Sequence, residues 1–373
     1  MPIDQPAPTG NQFDIAIIGA GVAGLAAAYF LSKHAHVVVL EREEQPAFHS
    51  SGRSAALYIE GYENPIVAGL TAASGEFFRD PPTGFAQAPL LSDRGGLTIA
   101  TVGQESALQK YVQTWQPFCP NLKLIDTEQA VKLCPILRAN AICGAAYDPD
   151  WKAIDTHEMM QGFQRGIKMN GSQVLTESEL TLARRKGQVW YLETSQNTFT
   201  ANTIINAAGA WANTVATMAG VTPIELTPMR RSAVIIPAPE NVSTWPITHT
   251  ISGDLYFKPE SPGLMVCPQD ETISDPVDAY PEEIDIAIAI DRFSQVVDYP
   301  VDRTLHQWAG LRTFAPDRFP VLGRDPEEKS FFWLAGQGGF GVQTAPELGR
   351  LTAANLLHND AIDSRILIDR FRD

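Results

Sequence analysis

The chain has 373 residues, of which 44% are hydrophobic and 19% charged, and its formal net charge at pH 7 is −15. This length and composition are typical of a globular protein with a large core and room for two domains. The acidic charge argues against a broad nucleic-acid-binding face, and no apolar run approaches the roughly 18 residues of a membrane span, so neither nucleic acid nor a transmembrane segment is expected.

The N-terminus and the cysteines indicate the compartment. Residues 1–12 (MPIDQPAPTGNQ) have neither the basic nor the apolar region of a signal peptide, and we interpret them as a flexible lead-in. The four cysteines form no CxxC pair and have no histidine at metal-ligand spacing. They are expected to be reduced core thiols, with no metal site, in a cytoplasmic protein.

The first half of the chain predicts a βαβ unit followed by helices. Residues 13–19 and 36–40 are β-branched runs typical of buried parallel strands, and the Ala-rich residues 21–32 between them predict a tightly packed helix. After this unit, helices are predicted over residues 65–78, 105–118, 127–133 and 157–169.

The second half of the chain predicts more strands. Antiparallel strands are expected over 174–182, 188–193 and 198–200, a buried strand over 203–207, and a mixed sheet between 231 and 266. A strand over 331–335, the glycine loop GQGGFG and a helix over 342–358 follow. The predicted fold is therefore α/β, with a discontinuous Rossmann-like domain (residues 1–87, 142–222 and 324–373) and a mixed-sheet α+β domain (residues 88–141 and 223–323).

Residues 19–24 (GAGVAG) form a GxGxxG motif between the first predicted strand and helix. Gly19 permits the tight turn, Gly21 lets the backbone approach a pyrophosphate, and Gly24 lets the helix pack closely on the strand. Glu41, at the end of the next strand, is placed to accept hydrogen bonds from a ribose. A glycine-rich turn without a nucleotide is the alternative.

Two further glycine elements favour FAD over NAD. NAAGAWA (206–212) ends a predicted strand, and GQGGFGVQTAP (336–346) opens the last helix. A second helix N-terminus suits an isoalloxazine ring, because its positive end stabilises the negative charge of reduced flavin. Taken alone, the last element has a structural turn as its alternative.

Six stretches in order resemble the flavin-dependent D-amino-acid oxidase/glycine oxidase superfamily, and especially its D-arginine dehydrogenase type: GAGVAGLAAAY, LERE, HSSGRSAA, INAAGAWA, WAGLRTFAPDRFPVLG and GQGGFG. The resemblance covers nearly the whole chain. It implies a GR2-type FAD-binding domain, noncovalent FAD, and a mixed-sheet domain that covers the flavin's re face. It also implies oxidation of a D-amino acid to an imino acid, which hydrolyses to a 2-oxo acid and ammonia. The implied electron acceptor is not O₂, and a quinone is one candidate.

The glycine motifs and the resemblance together give an expected set of cofactor-binding residues: Gly19, Gly21, Val22, Ala23, Gly24, Glu41, Arg42, Ser50, Ser51, Arg53, Ser54, Ala208, Gly209, Trp211, Gly338, Gly341, Val342 and Gln343. The loop HSSGRSAALYIEGY (49–62) is expected to serve two purposes. Residues 49–54 pass the cofactor, with Arg53 supporting the loop, and residues 57–62 face the substrate side chain.

An amino-acid oxidase has to hold a carboxylate, for which an arginine fork is best suited. The resemblance assigns this role to Arg312 and Arg231, with Arg230 as the alternative to Arg231 because neighbours on a strand face opposite ways. It places the Tyr256 hydroxyl on the same carboxylate and the Gly339 carbonyl beside the amine.

The expected side-chain pocket comprises Tyr62 as a lid, with Leu57, Ile59, Gly96, Ile247 and His249. Gly96 stands where the D-arginine dehydrogenase type has the acidic partner of the substrate guanidinium. Neutral, apolar D-amino acids are therefore the expected substrates, because a buried guanidinium would lack a counter-ion. Glu60 or Glu63 remains a substitute partner. No general base stands out, and His249 is interpreted as a packed polar residue.

Three other functions remain open. One is a glycine or sarcosine oxidase-like amine oxidase using O₂, although the segment RTFAPDR lacks the cysteine that holds flavin covalently in some sarcosine oxidases. The others are a 2-hydroxy-acid dehydrogenase on the same fold and a flavin-binding protein without turnover.

Overall fold

A computed structural model describes residues 11–372, so nearly all of the predicted lead-in lies outside the described residues. The helices in this range are α1 (Val22–Leu31), α2 (Pro65–Arg79), α3 (Glu105–Trp115), α4 (Thr127–Leu133), α5 (Thr156–Met169), α6 (Ala212–Met218), α7 (Glu283–Val296) and α8 (Gly341–His358). Between residues 11 and 372, no helix has both the length and the apolar character that a bilayer crossing requires.

The strands form three sheets. They are β1 (Gln12–Ile18), β2 (Val37–Leu40), β3 (Leu57–Tyr58), β4 (Leu91–Asp93), β5 (Gly96–Thr101), β6 (Lys123–Ile125), β7 (Ile142–Asp148), β8 (Lys152–Ile154), β9 (Gln173–Leu175), β10 (Leu180–Lys186), β11 (Val189–Thr194), β12 (Thr198–Asn206), β13 (Thr227–Ile236), β14 (Ile247–Thr250), β15 (Tyr256–Glu260), β16 (Gly263–Cys267), β17 (Thr272–Ile273), β18 (His306–Phe314), β19 (Val321–Arg324) and β20 (Phe331–Ala335).

The first sheet carries the dinucleotide motif. Its order is β10-β11-β12-β1-β2-β9, with β20 beside β12 and β19 beside β20. Strand β1 pairs in parallel with β2 and β12, and β12 pairs in parallel with β20. Parallel neighbours end at the same edge, so the glycine segments that follow β1, β12 and β20 meet there, as ligand-binding segments do in open α/β sheets.

The second sheet has the order β17-β13-β16-β15-β14-β5-β7-β6, with β18 beside β13. The antiparallel pairing of β13 with β18 sets Arg231 opposite Gly310, two residues from Arg312. Strand β15 begins at Tyr256 and pairs with β16. This sheet therefore carries the three side chains predicted to hold a carboxylate. A small third sheet, β3-β8-β4, holds the start of the predicted substrate half of the loop.

Helix α1 is packed unusually closely, and its composition explains why. Seven of its ten residues are Ala, Gly, Val or Leu with little or no exposed surface. A Cβ added at Gly24 would lie 2.0 Å from the Gly19 carbonyl oxygen, and one added at Gly349 of α8 would lie 2.8 Å from the Ala26 backbone. Small residues on both helices thus let α1 lie between the sheet and α8, which fixes the position of the glycine turn.

Most of the predicted elements are confirmed. The βαβ unit is present, α4 has the predicted bounds, and α2, α5 and α8 differ from prediction by one residue at one end. The predicted helix over 105–118 ends earlier, at Trp115. The boundaries of the two domains stay a prediction.

Two strand predictions were wrong, and several elements were missed. Residues 174–182 are not one antiparallel strand, because β9 is a parallel neighbour of β2 while β10 pairs antiparallel with β11. Residues 198–200 and 203–207 lie in the single strand β12, whose first half pairs with β11 and whose second half pairs with β20. Helices α6 and α7 and strands β3 to β8, β17, β18 and β19 were not predicted as elements.

Candidate active site

A cavity of about 1640 Å³, counting the part open to solvent, lies along the edge where β1, β2, β12 and β20 end. We call it the larger cavity. The predicted cofactor-binding residues that line it are Gly19, Gly21, Val22, Ala23, Glu41, Arg42, Ser50, Ser51, Arg53, Ser54, Ala208, Gly209, Trp211, Gly338, Gly341 and Val342. The remaining two, Gly24 and Gln343, do not line it.

The glycine turn forms one end of the wall. Gly19 has φ +103°, and a Cβ there would lie 2.6 Å from the Ala207 carbonyl oxygen, so the turn requires glycine. Gly24 faces the turn from inside α1, which is why it acts in packing and not in the wall. Helix α1 has no side-chain cap at Gly21. Its positive N-terminal end therefore faces the cavity without a side chain of its own over it.

A carboxylate and a flat ring surface form another part of the wall. Glu41 is buried, and its oxygens accept two backbone N–H groups at 2.7 and 3.0 Å, which fix its orientation. Beside it, the Arg42 guanidinium lies 4.5 Å from the centre of the Trp211 ring, and the His49 ring lies 4.6 Å from the same ring. This part can accept hydrogen bonds from hydroxyls next to a planar group.

The loop over residues 47–54 is fastened to α1 and to the second sheet. Ser51 accepts a hydrogen bond from the Val22 N–H at 2.9 Å, which ties the loop to the start of α1. Ser50 donates to the Leu311 carbonyl on β18. Arg53 donates to three backbone carbonyls and pairs with Asp278 at 2.5 Å. Arg53 thus connects the loop to β18 and to the segment that contains Asp278.

A second cavity of about 890 Å³ adjoins the larger one, and we call it the smaller cavity. Among the predicted pocket residues, Tyr62, Leu57, Ile59, Ile247 and His249 line it, and so does Gln343. Residues lining both cavities are Ser54, Ala55, Arg231, Tyr256, Arg312, Gly339 and Val342. The four residues predicted for the reaction therefore all lie in the shared wall.

Arg312 is the dominant charge of this wall. Its side chain makes no hydrogen bond or ion pair with any residue between 11 and 372, and its guanidinium lies against Gly339, where a Cβ would come 2.6 Å from Nη1. Burial raises the pKa of the neighbouring Tyr256 well above its ordinary value, so this hydroxyl stays protonated. A cation without a counter-ion beside an O–H donor is an anion-binding arrangement.

Arg231, and not Arg230, contributes the second guanidinium. Arg231 donates from Nε to the Asp270 carbonyl at 2.7 Å and from Nη2 to Glu271 at 3.1 Å. Arg230 points to the other face of β13, where it pairs with Glu282 at 2.6 Å and with a second carboxylate at 3.1 Å. The alternation of side chains along a strand decides between the two.

A chain of alternating charges connects two residues that line the smaller cavity, Glu63 and Arg231, through Arg318 and Glu271, and we call these four residues the rim network. Arg318 meets Glu63 at 2.5 Å and Glu271 at 3.0 and 3.1 Å. Glu63 and Arg318 both adopt the left-handed backbone conformation, with φ +63° and +60°. The other acidic candidate, Glu60, accepts a tyrosine hydroxyl at 2.6 Å. Both proposed partners of a cationic side chain are thus already engaged.

His249 is placed as a wall residue. Its Nε2 lies 2.6 Å from Thr98 Oγ1, and its ring stacks on Trp151 with centroids 5.2 Å apart and 29° between the planes. Burial lowers its pKa to about 4, despite the opposing effect of a hydrogen bond with the Thr250 backbone. The imidazole is therefore neutral at pH 7.

Gly96 does not line the smaller cavity, because the Trp151 indole covers it. A Cβ at Gly96 would lie 2.1 Å from Trp151 Cδ2. Trp151 lines the cavity together with Tyr111 and Trp115, and the sequence analysis missed all three. The available signal was Gly96 itself, since glycine inside a strand often marks the close approach of another group.

The residues present fit a bound FAD. The N-terminal end of α1, which has no side-chain cap from Gly21, suits a pyrophosphate, and the Glu41 carboxylate suits ribose hydroxyls. The amide Nε2 of Gln337 in the glycine loop is buried without a hydrogen-bond partner among residues 11–372, and Gln337 lines the larger cavity. An unpaired buried donor is costly unless a bound group accepts its hydrogen bond. This places a polar ligand edge at the glycine loop.

Comparisons with known proteins agree with this assignment. The sequence model of the family DAO, described as FAD dependent oxidoreductase, matches residues 14–355. The chain is 24% identical to glycine oxidase of Geobacillus kaustophilus (strain HTA426), covering 92% of each chain. It is also 23% identical to human mitochondrial dimethylglycine dehydrogenase. That alignment covers 96% of this chain and 44% of the longer human protein. L-proline dehydrogenase from P. horikoshii has a similar structure, with a TM-score of 0.83, 21% identity, and 94% of this chain and 95% of that chain covered.

Proposed function

The chain belongs to the DAO family of FAD-dependent oxidoreductases, and from this premise we propose that it oxidises free D-amino acids with neutral, apolar side chains. The substrate would lose a hydride from Cα and a proton from its amine, which gives an imino acid. Water would then release ammonia and a 2-oxo acid. The D configuration rests on the resemblance to the D-arginine dehydrogenase type.

The observation that carries the proposal is the free guanidinium of Arg312 in the wall shared by the two cavities. A substrate carboxylate on Arg312 would also reach the neighbouring Tyr256 hydroxyl and Arg231, whose Nη1 has no hydrogen bond to a residue between 11 and 372. Three donors in one wall would fix the carboxylate and turn Cα toward the larger cavity. The chemistry that bound FAD supplies is acceptance of the two electrons that leave Cα as hydride.

The proton on the substrate amine needs another route. Burial lowers the pKa of His249 to about 4, so its imidazole is too weak a base to hold the amine proton near pH 7, and its hydrogen bond to Thr98 and its stacking on Trp151 make it a wall residue. The Gly339 carbonyl is the acceptor we assign to the amine. The enzyme would then bind the deprotonated amine, or the proton would pass to water, and the rate would rise with pH as the substrate amine deprotonates.

The smaller cavity supports a substrate with a side chain of some size. It measures about 890 Å³, counting the part open to solvent, and aromatic rings occupy much of its wall. Among residues 11–372, the one carboxylate that lines it, that of Glu63, is paired with Arg318. A substrate without a side chain, such as glycine, would leave this space unfilled, and a cationic side chain would find no free counter-ion.

Anaerobic reduction of the bound flavin tests the proposal. The panel contains D-Ala, D-Leu, D-Met, D-Phe and D-Arg, the L enantiomers, glycine, sarcosine, dimethylglycine and D-lactate, with loss of flavin absorbance near 450 nm as the readout. We expect the neutral D-amino acids to react fastest. Reduction only by glycine or N-methylated glycines, or only by D-lactate, would replace the proposal by an amine oxidase or a hydroxy-acid dehydrogenase. Parallel assays of peroxide formation under air and of quinone reduction identify the electron acceptor.

Two adjacent arginines provide a matched pair of variants. Arg231→Met should raise KM for every amino acid roughly tenfold or more, because a charge-assisted hydrogen bond contributes about 1.5–3 kcal/mol. Arg230→Met should leave KM unchanged, since Arg230 faces Glu282 on the other side of the strand, and should lower only thermal stability. Equal effects of the two on KM would remove Arg231 from the carboxylate site.

A further inference from the structure

The smaller cavity contains more aromatic surface than the binding of a carboxylate and an amine requires. Beyond the wall that it shares with the larger cavity, it is lined by Tyr111, Trp115, Trp151 and His249, which we call the aromatic slot. These rings come from three separate parts of the chain: helix α3, the turn before β8, and strand β14. The slot is therefore a product of the tertiary fold and has no local sequence pattern.

The rings of the slot are held in a fixed arrangement. Trp151 lies nearly parallel to His249, 29° apart, and the Tyr111 ring stands at 64° to His249 with centroids 6.2 Å apart. The hydrogen bond between His249 and Thr98, at 2.6 Å, fixes the imidazole. Gly96 lies directly under the indole of Trp151, so the indole cannot move toward β5.

The charge of a ligand decides whether the aromatic slot can bind it. Aromatic faces attract cations as well as other rings. A buried cation, however, also needs a counter-ion to offset its lost hydration. In the part of the chain that the structure describes, the one carboxylate lining the cavity is that of Glu63, which is already paired with Arg318. His249 is neutral and adds no charge. A neutral planar ring gains from the aromatic faces without that cost.

We propose that the aromatic slot binds the planar ring of the substrate, so that aromatic amino acids are preferred over aliphatic ones of similar volume. The inference rests on the proposed function and narrows its substrate class. Trp151 is then a specificity-determining residue, and Gly96 is a positioning residue that acts through it. Edge-to-face and stacked ring contacts provide a gain beyond that of buried area, and we expect it to amount to about fivefold in affinity.

Two unreactive ligands separate ring character from size. 3-Phenylpropanoate and 3-cyclohexylpropanoate share the carboxylate and the carbon skeleton, but only the first is planar and aromatic. Their dissociation constants for the holoenzyme are measured from the shift of the flavin spectrum. We expect 3-phenylpropanoate to bind about five times more tightly, although the saturated ring is the more hydrophobic. Equal or tighter binding of the cyclohexyl compound would overturn the proposal.

Variants locate the effect in the slot. Trp151→Leu should abolish the fivefold preference, and Gly96→Ala should do the same because its Cβ would displace the indole. Gly69→Ala is the matched control, since a Cβ at this exposed position of α2 meets nothing within 4 Å. In steady-state assays, both slot variants should have a higher KM for D-Phe but not for D-Leu, with kcat little changed. A preference that survives in both slot variants would also overturn the proposal.

The outcome separates this inference from the proposed function. If D-Leu and D-Phe reduce the flavin equally well and both propanoates bind alike, the slot inference fails and the proposed function stands. If no D-amino acid reduces the flavin, the proposed function fails. The preference between the propanoates, which needs no turnover, still decides the slot.

Discussion

Substitution of Gly96 by aspartate tests how Trp151 controls the charge that the pocket accepts. In the D-arginine dehydrogenase type, an acidic residue stands where this chain has Gly96. Here, however, a Cβ at that position would come 2.1, 2.3 and 2.6 Å from three indole carbons, well inside ordinary contact. Gly96→Asp alone should therefore displace the ring and destabilise the protein by about 1–3 kcal/mol, without creating a guanidinium site.

Removal of the indole should change this outcome. In the double variant Gly96→Asp, Trp151→Ala, the new carboxylate occupies the space of the ring and faces the smaller cavity. A charge-assisted pair with a substrate guanidinium contributes about 1.5–3 kcal/mol, so kcat/KM for D-Arg should exceed that of Trp151→Ala by roughly 10- to 150-fold. Loss of the indole itself should cost about 3–5 kcal/mol of stability, which thermal unfolding measures separately.

The assay compares kcat/KM for D-Arg and D-Phe in the wild type, both single variants and the double variant. The double variant Gly96→Asn, Trp151→Ala is the control, because asparagine has the size of aspartate without its charge. We expect the gain for D-Arg only with aspartate, and we expect added salt to reduce it. An equal gain with asparagine, or a gain in Gly96→Asp alone, would refute the reasoning about the indole.

Three further predictions concern the cofactor cavity, the neutral histidine and the rim network. Gly24→Ala should bind little flavin and be less stable by about 1–3 kcal/mol, because its Cβ would lie 2.0 Å from a backbone carbonyl. The control Gly69→Ala should keep its flavin and gain up to about 1 kcal/mol of stability. Flavin absorbance and thermal unfolding measure both effects, and full flavin content in Gly24→Ala would contradict the packing argument. His249 has a pKa of about 4 in the folded protein and 6.5 in the unfolded chain, so the folded state binds fewer protons at acidic pH. Lowering the pH from 7 to 5 should therefore reduce the free energy of unfolding by about 2 kcal/mol through this residue. The free energy of unfolding of His249→Phe should fall by that much less, and an identical pH dependence would count against the neutral imidazole. Glu63→Gln removes the ion pair with Arg318 in the rim network and should raise KM about two- to fivefold, with kcat unchanged or higher. An unchanged KM would show that this ion pair does not contribute to substrate binding.

Local sequence patterns were sufficient for the βαβ unit and the glycine turn of the first sheet. The motif at residues 19–24 joins a strand to a helix by a tight turn whose backbone geometry requires glycine. The φ of +103° at Gly19 confirms this requirement. The Ala-rich α1 and the glycine loop before α8 are also local signals. Predictions here depended on neighbours within a few residues, and most of them are confirmed.

The second sheet and its pocket depended on contacts that are distant in the chain. Strand β18 pairs with β13, which lies about 80 residues earlier in the chain. No local sequence pattern predicts that pairing. The aromatic slot joins Tyr111, Trp151 and His249 from three segments, so Trp151 looked like an ordinary packed residue in the sequence. The choice between Arg230 and Arg231 also needed the sheet, because it follows from which face of β13 is turned to the cavity.

The order in which the chain is synthesised has a consequence for the cofactor. The walls of the larger cavity come from β1 and β2 near the start, from β12 in the middle, and from the glycine loop at residues 336–341. A growing chain carries the phosphate-binding turn long before it carries Arg312 or the glycine loop. FAD therefore cannot direct the early stages of folding. It binds a nearly finished topology and stabilises it by mass action, so the flavin content of freshly made protein sets a lower limit on the fraction of chains that have completed the fold.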